Sequence, residues 1–106
     1  MSKETESKIQ QLQMMEQSLQ NLLMQKKQYQ SEILETESAS SELKTSSTAY
    51  KIIGNIMVKK SKTELQKDLE EKNKKLGVHM KSIENQEDKI KEKIKQIQKE
   101  VMSEIK

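Results

Sequence analysis

Cysteine, proline, arginine, tryptophan and phenylalanine are absent from the 106 residues, glycine occurs twice, and the only aromatic residues are Tyr29 and Tyr50. Each absence removes a class of protein. Without cysteine there is neither a disulfide staple nor a thiolate metal site. Phe and Trp bring the largest areas to a core, and the apolar fraction is only 31%, against roughly 45–50% in typical soluble domains. A compact enzyme has little to fold around. Reading base edges or stacking on bases calls on arginine and aromatic rings, so nucleic acid is not an expected partner. No run approaches the ~18 apolar residues of a membrane span, and the first twenty residues lack the apolar stretch of a signal peptide. The expectation is a cytoplasmic chain that makes no use of a membrane.

The missing prolines and scarce glycines also leave almost nothing to interrupt a helix. What remains is rich in Lys, Glu, Gln, Leu, Ile, Ser and Met, most of them good helix formers. All 20 basic residues are lysines, and against 17 acids the net charge is +3. Residues 1–49 hold 5 Lys and 7 acids, residues 50–106 hold 15 Lys and 10 acids. That is a mild tilt towards positive charge in the second half.

Apolar periodicity divides the chain into three parts within one expected domain, 1–106. The first helix is expected over about 6–45. Leu12, Leu19, Lys26, Ile33 and Ser40 fall at heptad position a, and Met15, Leu22, Tyr29, Thr36 and Leu43 at position d. This is a coiled-coil seam, weakened by Lys26, Thr36 and Ser40, and the Ser/Thr-rich stretch 38–48 should end it between 43 and 46. The second helix is expected over about 62–106. Ser61 and Glu64 form a Ser-x-x-Glu capping box, and Leu69, Leu76, Ile83, Ile90 and Ile97 then recur every seven residues. Met80, Ile94 and Val101 fill the companion positions, with Asn73 and Glu87 as polar exceptions. Gly77 is a candidate bend.

Between the helices, in 49–60, the helical period vanishes and β-branched residues concentrate around Gly54-Asn55, the signature of a two-residue type II′ turn. Tyr50–Ile53 should pair with Ile56–Lys59. The fold class is therefore mainly α: two long helices, each reaching roughly 60 Å at 1.5 Å per residue, in an antiparallel coiled coil joined by a central β-hairpin. An isolated hairpin is marginal in water, and this one is apolar on both faces with unpaired edges. Hairpins of several subunits assembling into a sheet or barrel resolve the problem, so an oligomer is expected.

Catalysis finds little support. His79 is the single histidine and has no nearby acid–base partner, the Ser-rich stretch has no nucleophile elbow, and the carboxylates are scattered among lysines as solvating charges. Gly54 and Gly77 cannot cradle a phosphate, so no cofactor or nucleotide is expected. Near the two ends of the chain, Ile9, Leu12, Met14, Met15, Ile97, Val101, Met102 and Ile105 are more apolar groups than one seam uses. They either complete the seam or form an adaptable apolar surface, for which methionine is well suited.

The segment Ala49-Tyr50-Lys51-Ile52-Ile53-Gly54-Asn55-Ile56-Met57-Val58-Lys59-Lys60, set between two coiled-coil helices of equal reach, resembles the hairpin of prefoldin beta subunits. Leu65–Leu76 with Glu70, Glu71 and Lys72, and Ile83-Glu84-Asn85-Gln86-Glu87, extend the resemblance, and one hairpin rather than two points to the beta class. The resemblance implies an ATP-independent chaperone, not an enzyme, working as a hexamer of two alpha-type and four beta subunits. Non-native polypeptides would be held between coiled-coil tips and passed to a group II chaperonin. On this sequence it implies platform (oligomerisation) roles for Ile52, Ile53, Gly54, Ile56, Met57 and Val58. It implies client contacts for Ile9, Leu12, Met14, Met15, Ile97, Val101, Met102 and Ile105. The alternative from the residues alone is a scaffolding coiled-coil oligomer that binds no client.

Overall fold

The computed structural model describes residues 2–105, so position 1 of the expected domain and position 106 of the expected second helix lie outside the described residues. Four elements follow in order: helix α1 (Lys3–Thr45), strand β1 (Ala49–Ile53), strand β2 (Ile56–Lys60) and helix α2 (Lys62–Ile105).

Helix α1 starts three residues earlier than the heptad pattern suggests. Ser2 Oγ accepts the Thr5 N–H at 3.1 Å, an N-cap, and Glu4 and Glu6 sit in the first turn, where the helix dipole favours negative charge. At the other end, the Lys62 ammonium donates to the Lys44 carbonyl at 3.0 Å. A cation thereby serves one of the carbonyls that a helix C-terminus leaves free. The capping role of Ser61 is formed, its Oγ accepting the Glu64 N–H at 3.2 Å. Helix α2 then runs through Gly77 without interruption.

The strands pair antiparallel with Tyr50 opposite Lys59, Ile52 opposite Met57 and Ile53 opposite Ile56. Gly54 has φ +61°, and no other described residue has positive φ. Positive φ at the first central residue alone is the type II′ geometry, whose twist matches that of the strands it joins.

The chain forms two compact units, Gln28–Met80 and Met1–Lys27 with Lys81–Lys106. In the first, Leu43, Ala49, Leu76 and Thr36 are buried, flanked by half-buried Tyr29, Ile33, Leu69 and Met80. Thr36 is tolerated because its Oγ1 donates to the Glu32 carbonyl one turn back at 2.8 Å, so its hydroxyl is satisfied although the residue is buried. Tyr29 and His79 stack across the two helices with ring centroids 5.4 Å apart and planes 4° apart. Asn73, by contrast, is exposed. The small side chains of Thr36, Ser40 and Ser41 leave an open groove beside Leu69 and Asn73.

In the second unit, Leu22, Ile83, Ile94, Val101, Thr5 and Glu87 are buried. The helices run antiparallel there, because Lys8 meets Glu100 and Glu104 while Lys26 meets Glu87. In both units every a and d residue assigned on α1 is buried or half-buried. The same holds on α2 except at Asn73. The seam is narrow: no described side chain is less than 2% exposed.

Candidate functional site

The hairpin lies in the first unit. Alternation of side chains along a strand places Tyr50, Ile52, Met57 and Lys59 on one face and Lys51, Ile53, Ile56 and Val58 on the other. Ile52, Ile53, Ile56 and Met57 each keep more than half of their surface exposed. The sheet has two strands, so each strand leaves one edge of N–H and C=O groups free. An ion pair from Lys51 to Asp68, 3.7 Å, ties β1 to α2. Fully burying one exposed Ile or Met side chain is worth about 1.5–3 kcal/mol, so covering the exposed part of these four would return roughly 4–8 kcal/mol gross by the same scale. That is the drive of an interface, carried on a ribbon that cannot bury these groups itself.

The apolar groups near the chain ends belong to the second unit, and the structure separates them into three kinds. Met14, Met102 and Ile105 are 72%, 60% and 58% exposed. Ile9, Leu12, Met15 and Ile97 are half-buried along the seam. Val101, expected with the surface group, is only 8% exposed. It occupies the companion position four residues after Ile97 and is used by the seam. Seam burial and surface exposure are thus divided among these residues, on different side chains.

Beside them is a polar cluster that the apolar periodicity does not mark. Thr5 is buried and donates its hydroxyl to the Glu104 carboxylate. Lys8 bonds the same carboxylate and lies 3.4 Å from Glu100. The Glu104 hydrogen bond, and then the charge of Glu104 and the bond to Glu100, hold the Lys8 ammonium above its ordinary value of 10.5. Hydrogen bonds from Lys8 and Thr5 hold the Glu104 carboxyl below 4.5. The signal was present in the sequence, since Thr5 and Lys8 continue the a/d series one heptad ahead of Leu12.

Lys26 and Glu87, the polar breaks of the two seams, face each other. Lys26 Nζ is 3.3 Å from Glu87 Oε1, and Lys91 is 4.0 Å from the other oxygen. Glu87 Oε1 is buried and lacks a well-aligned hydrogen bond, so its link to Lys26 is ionic. The sequence offered only the coarse hint of one opposite charge in each of two otherwise apolar series. Among the described residues, no group of His, Asp and Glu is arranged to hold a metal ion, and no helix is long and apolar enough to cross a membrane.

Comparison with known proteins supplies the context. Residues 6–106 match the prefoldin subunit family. The fold is similar to the crystal structure of the prefoldin beta subunit from Thermococcus strain KS-1, with a TM-score of 0.90 and 30% sequence identity. That match covers 96% of this chain and 92% of the other. None of the curated proteins compared with the chain matches it.

Proposed function

Since this chain belongs to the prefoldin subunit family, as a beta-type member, we propose that it is a subunit of an ATP-independent holdase. It captures non-native polypeptides and delivers them to a group II chaperonin. The observation that carries the reading is the exposure of Met14, Met102 and Ile105 near the two ends of the chain. Such side chains gain ~25 cal/mol per Å² of apolar surface buried, so one subunit holds a client weakly. Several subunits on one body raise affinity through effective concentration. Release needs only a competing binder, which is why no nucleotide enters the scheme.

In the same proposal Ile52, Ile53, Ile56, Met57 and Val58, turned by Gly54, build an inter-subunit β-barrel in a hexamer of two alpha-type and four beta subunits. Exposure of apolar side chains on both faces of the hairpin supports this assembly. Ile9, Leu12, Met15 and Ile97 border the client surface. Val101 acts indirectly, by holding the helices that present Met102 and Ile105. The work is non-enzymatic and cytosolic, as in the family.

The test is light scattering of a denatured client diluted into buffer without nucleotide, with and without this chain assembled with an alpha-type partner. Suppressed aggregation at near-stoichiometric hexamer is the expected result. No suppression by a hexamer verified by sedimentation would leave the scaffolding coiled coil as the better description.

A further inference from the structure

Helix α1 carries a second stripe that the seam does not use. Met14, Gln17, Asn21 and Met24 are spaced i, i+3, i+7 and i+10, which puts them on one helical face, and all four are exposed. Met24 is 70% exposed, and Gln17 donates to Asn21 across one turn at 3.5 Å. A shallow groove beside the stripe is lined by Gln13, Gln20 and Met24 with Gln17 and Asn21, and Glu16 is its one charged residue.

The surroundings lack charge to an unusual degree. From residue 9 to residue 25 the single charged side chain is Glu16, whereas twelve of the 24 residues from 81 to 104 on α2 are charged. Between residues 9 and 25 the outer face of α1 is thus mostly amides and thioethers, whereas the facing stretch of α2 is rich in ions.

We propose that this stripe binds an extended segment of a non-native chain bearing two apolar side chains four residues apart with little charge between them. The inference deepens the holdase reading and rests on it. Ten residues of helix place Met14 and Met24 about 15 Å apart along the axis. Residues i and i+4 of an extended chain point to the same side and lie ~13 Å apart, so both apolar groups reach a methionine. The middle residue falls over Gln17 and Asn21. The strand's lateral N–H and C=O groups then meet amides such as Gln13 and Gln20, which both donate and accept. Thioethers adapt to whichever apolar side chain arrives.

A second copy of the chain is the poorer occupant. Two methionines and a few amides along ~15 Å of one helix fall far short of the ~800 Å² per partner of a stable interface. A weak contact repeated over several subunits suits a captured chain. A face with the single charge of Glu16 beside it also predicts binding that depends only weakly on salt.

The experiment titrates labelled, unstructured peptides against the assembled protein by fluorescence anisotropy. One peptide carries two leucines four residues apart in a Ser/Gln background, a second carries them three apart, and a third has serine in their place. The first should bind about tenfold more tightly than the third, with the second in between and little change from low to high salt. Met14→Gln/Met24→Gln should lose the preference while Lys95→Gln retains it, with helix content by circular dichroism unchanged in both. Equal peptide affinities for wild type and Met14→Gln/Met24→Gln, alongside normal suppression of client aggregation, would overturn this inference and spare the holdase reading. Wild-type protein that neither binds the peptides nor suppresses aggregation would remove both.

Discussion

The Lys26–Glu87 pair can be tested by replacing its members singly and together. Glu87 keeps only 9% of its side-chain surface exposed and Lys26 keeps 26%. Removing one partner of a fully buried ion pair costs ~3–5 kcal/mol, because the other charge is stranded. Here Lys26 is partly solvated and Lys91 remains 4.0 Å from Glu87, so Lys26→Met should cost less, about 2–3 kcal/mol on the same scale. Glu87→Leu strands a lysine instead. Its long stem lets the ammonium reach water, so the loss should stay below about 1 kcal/mol, in the range of an exposed pair. Lys26→Met/Glu87→Leu replaces both charges by apolar groups at seam positions and should be neutral or stabilising by roughly 1–4 kcal/mol.

The single and double changes are therefore strongly non-additive. The assay is thermal unfolding followed by helical circular dichroism, with all four proteins at one concentration because oligomer stability depends on it. At about 4–8 °C per kcal/mol for a chain near this size, Lys26→Met should melt roughly 10–20 °C below wild type, and the double variant at or above wild type. Additivity within ~0.5 kcal/mol would refute the reasoning. It would mean that Lys26 leaves Glu87 for solvent and that the seam gains nothing from their alignment.

Gly77→Ala should stabilise the chain by about 0.5–1 kcal/mol, read as a higher urea midpoint, because a methyl group there meets no atom within 4 Å. Gly54→Ala should destabilise it by ~1–2 kcal/mol, the cost of a left-handed conformation for a residue with a Cβ, visible in the same titration. Ile53→Ser/Ile56→Ser should leave helix content intact but lower the sedimentation coefficient of the assembly, and an unchanged coefficient would exclude the hairpin from the interface. The Thr5–Lys8–Glu104 cluster gives a pH dependence with a definite sign. The depressed carboxyl of Glu104 supports this end of the unit above its ordinary value of 4.5, and that support is lost as pH falls through the lower folded value. The raised ammonium of Lys8 supports it below 10.5, and that support is lost as pH rises through the higher folded value. The protection of amides near Lys8 and Glu104, measured as hydrogen exchange relative to its intrinsic rate at each pH, should fall in acid, and Glu104→Gln should abolish that acid-side change.

How much of this could be read from residues alone depended on the range of the interactions. The helix spans, the seam register, the Ser61 cap and the Gly54-Asn55 turn are set by neighbours within about one turn or one hairpin, so spacing and residue type sufficed. Even Thr36 and Ser40, poor seam residues by type, sit where the period puts them, because the register of a continuous helix is a property of the whole run. The start of α1 was missed because a Ser cap without an acidic third residue is a weak local signal. What sequence could not decide is which residue of one helix lies opposite which residue of the other. That axial alignment pairs Lys26 with Glu87, stacks Tyr29 on His79 and joins Thr5 and Lys8 to Glu104. That Val101 is buried while Met102, its immediate neighbour, is exposed follows instead from the period, which puts Val101 at a companion position and Met102 off the stripe. Periodicity fixes the face a side chain occupies but not the partner it meets, and burial in a seam this narrow depends on the partner.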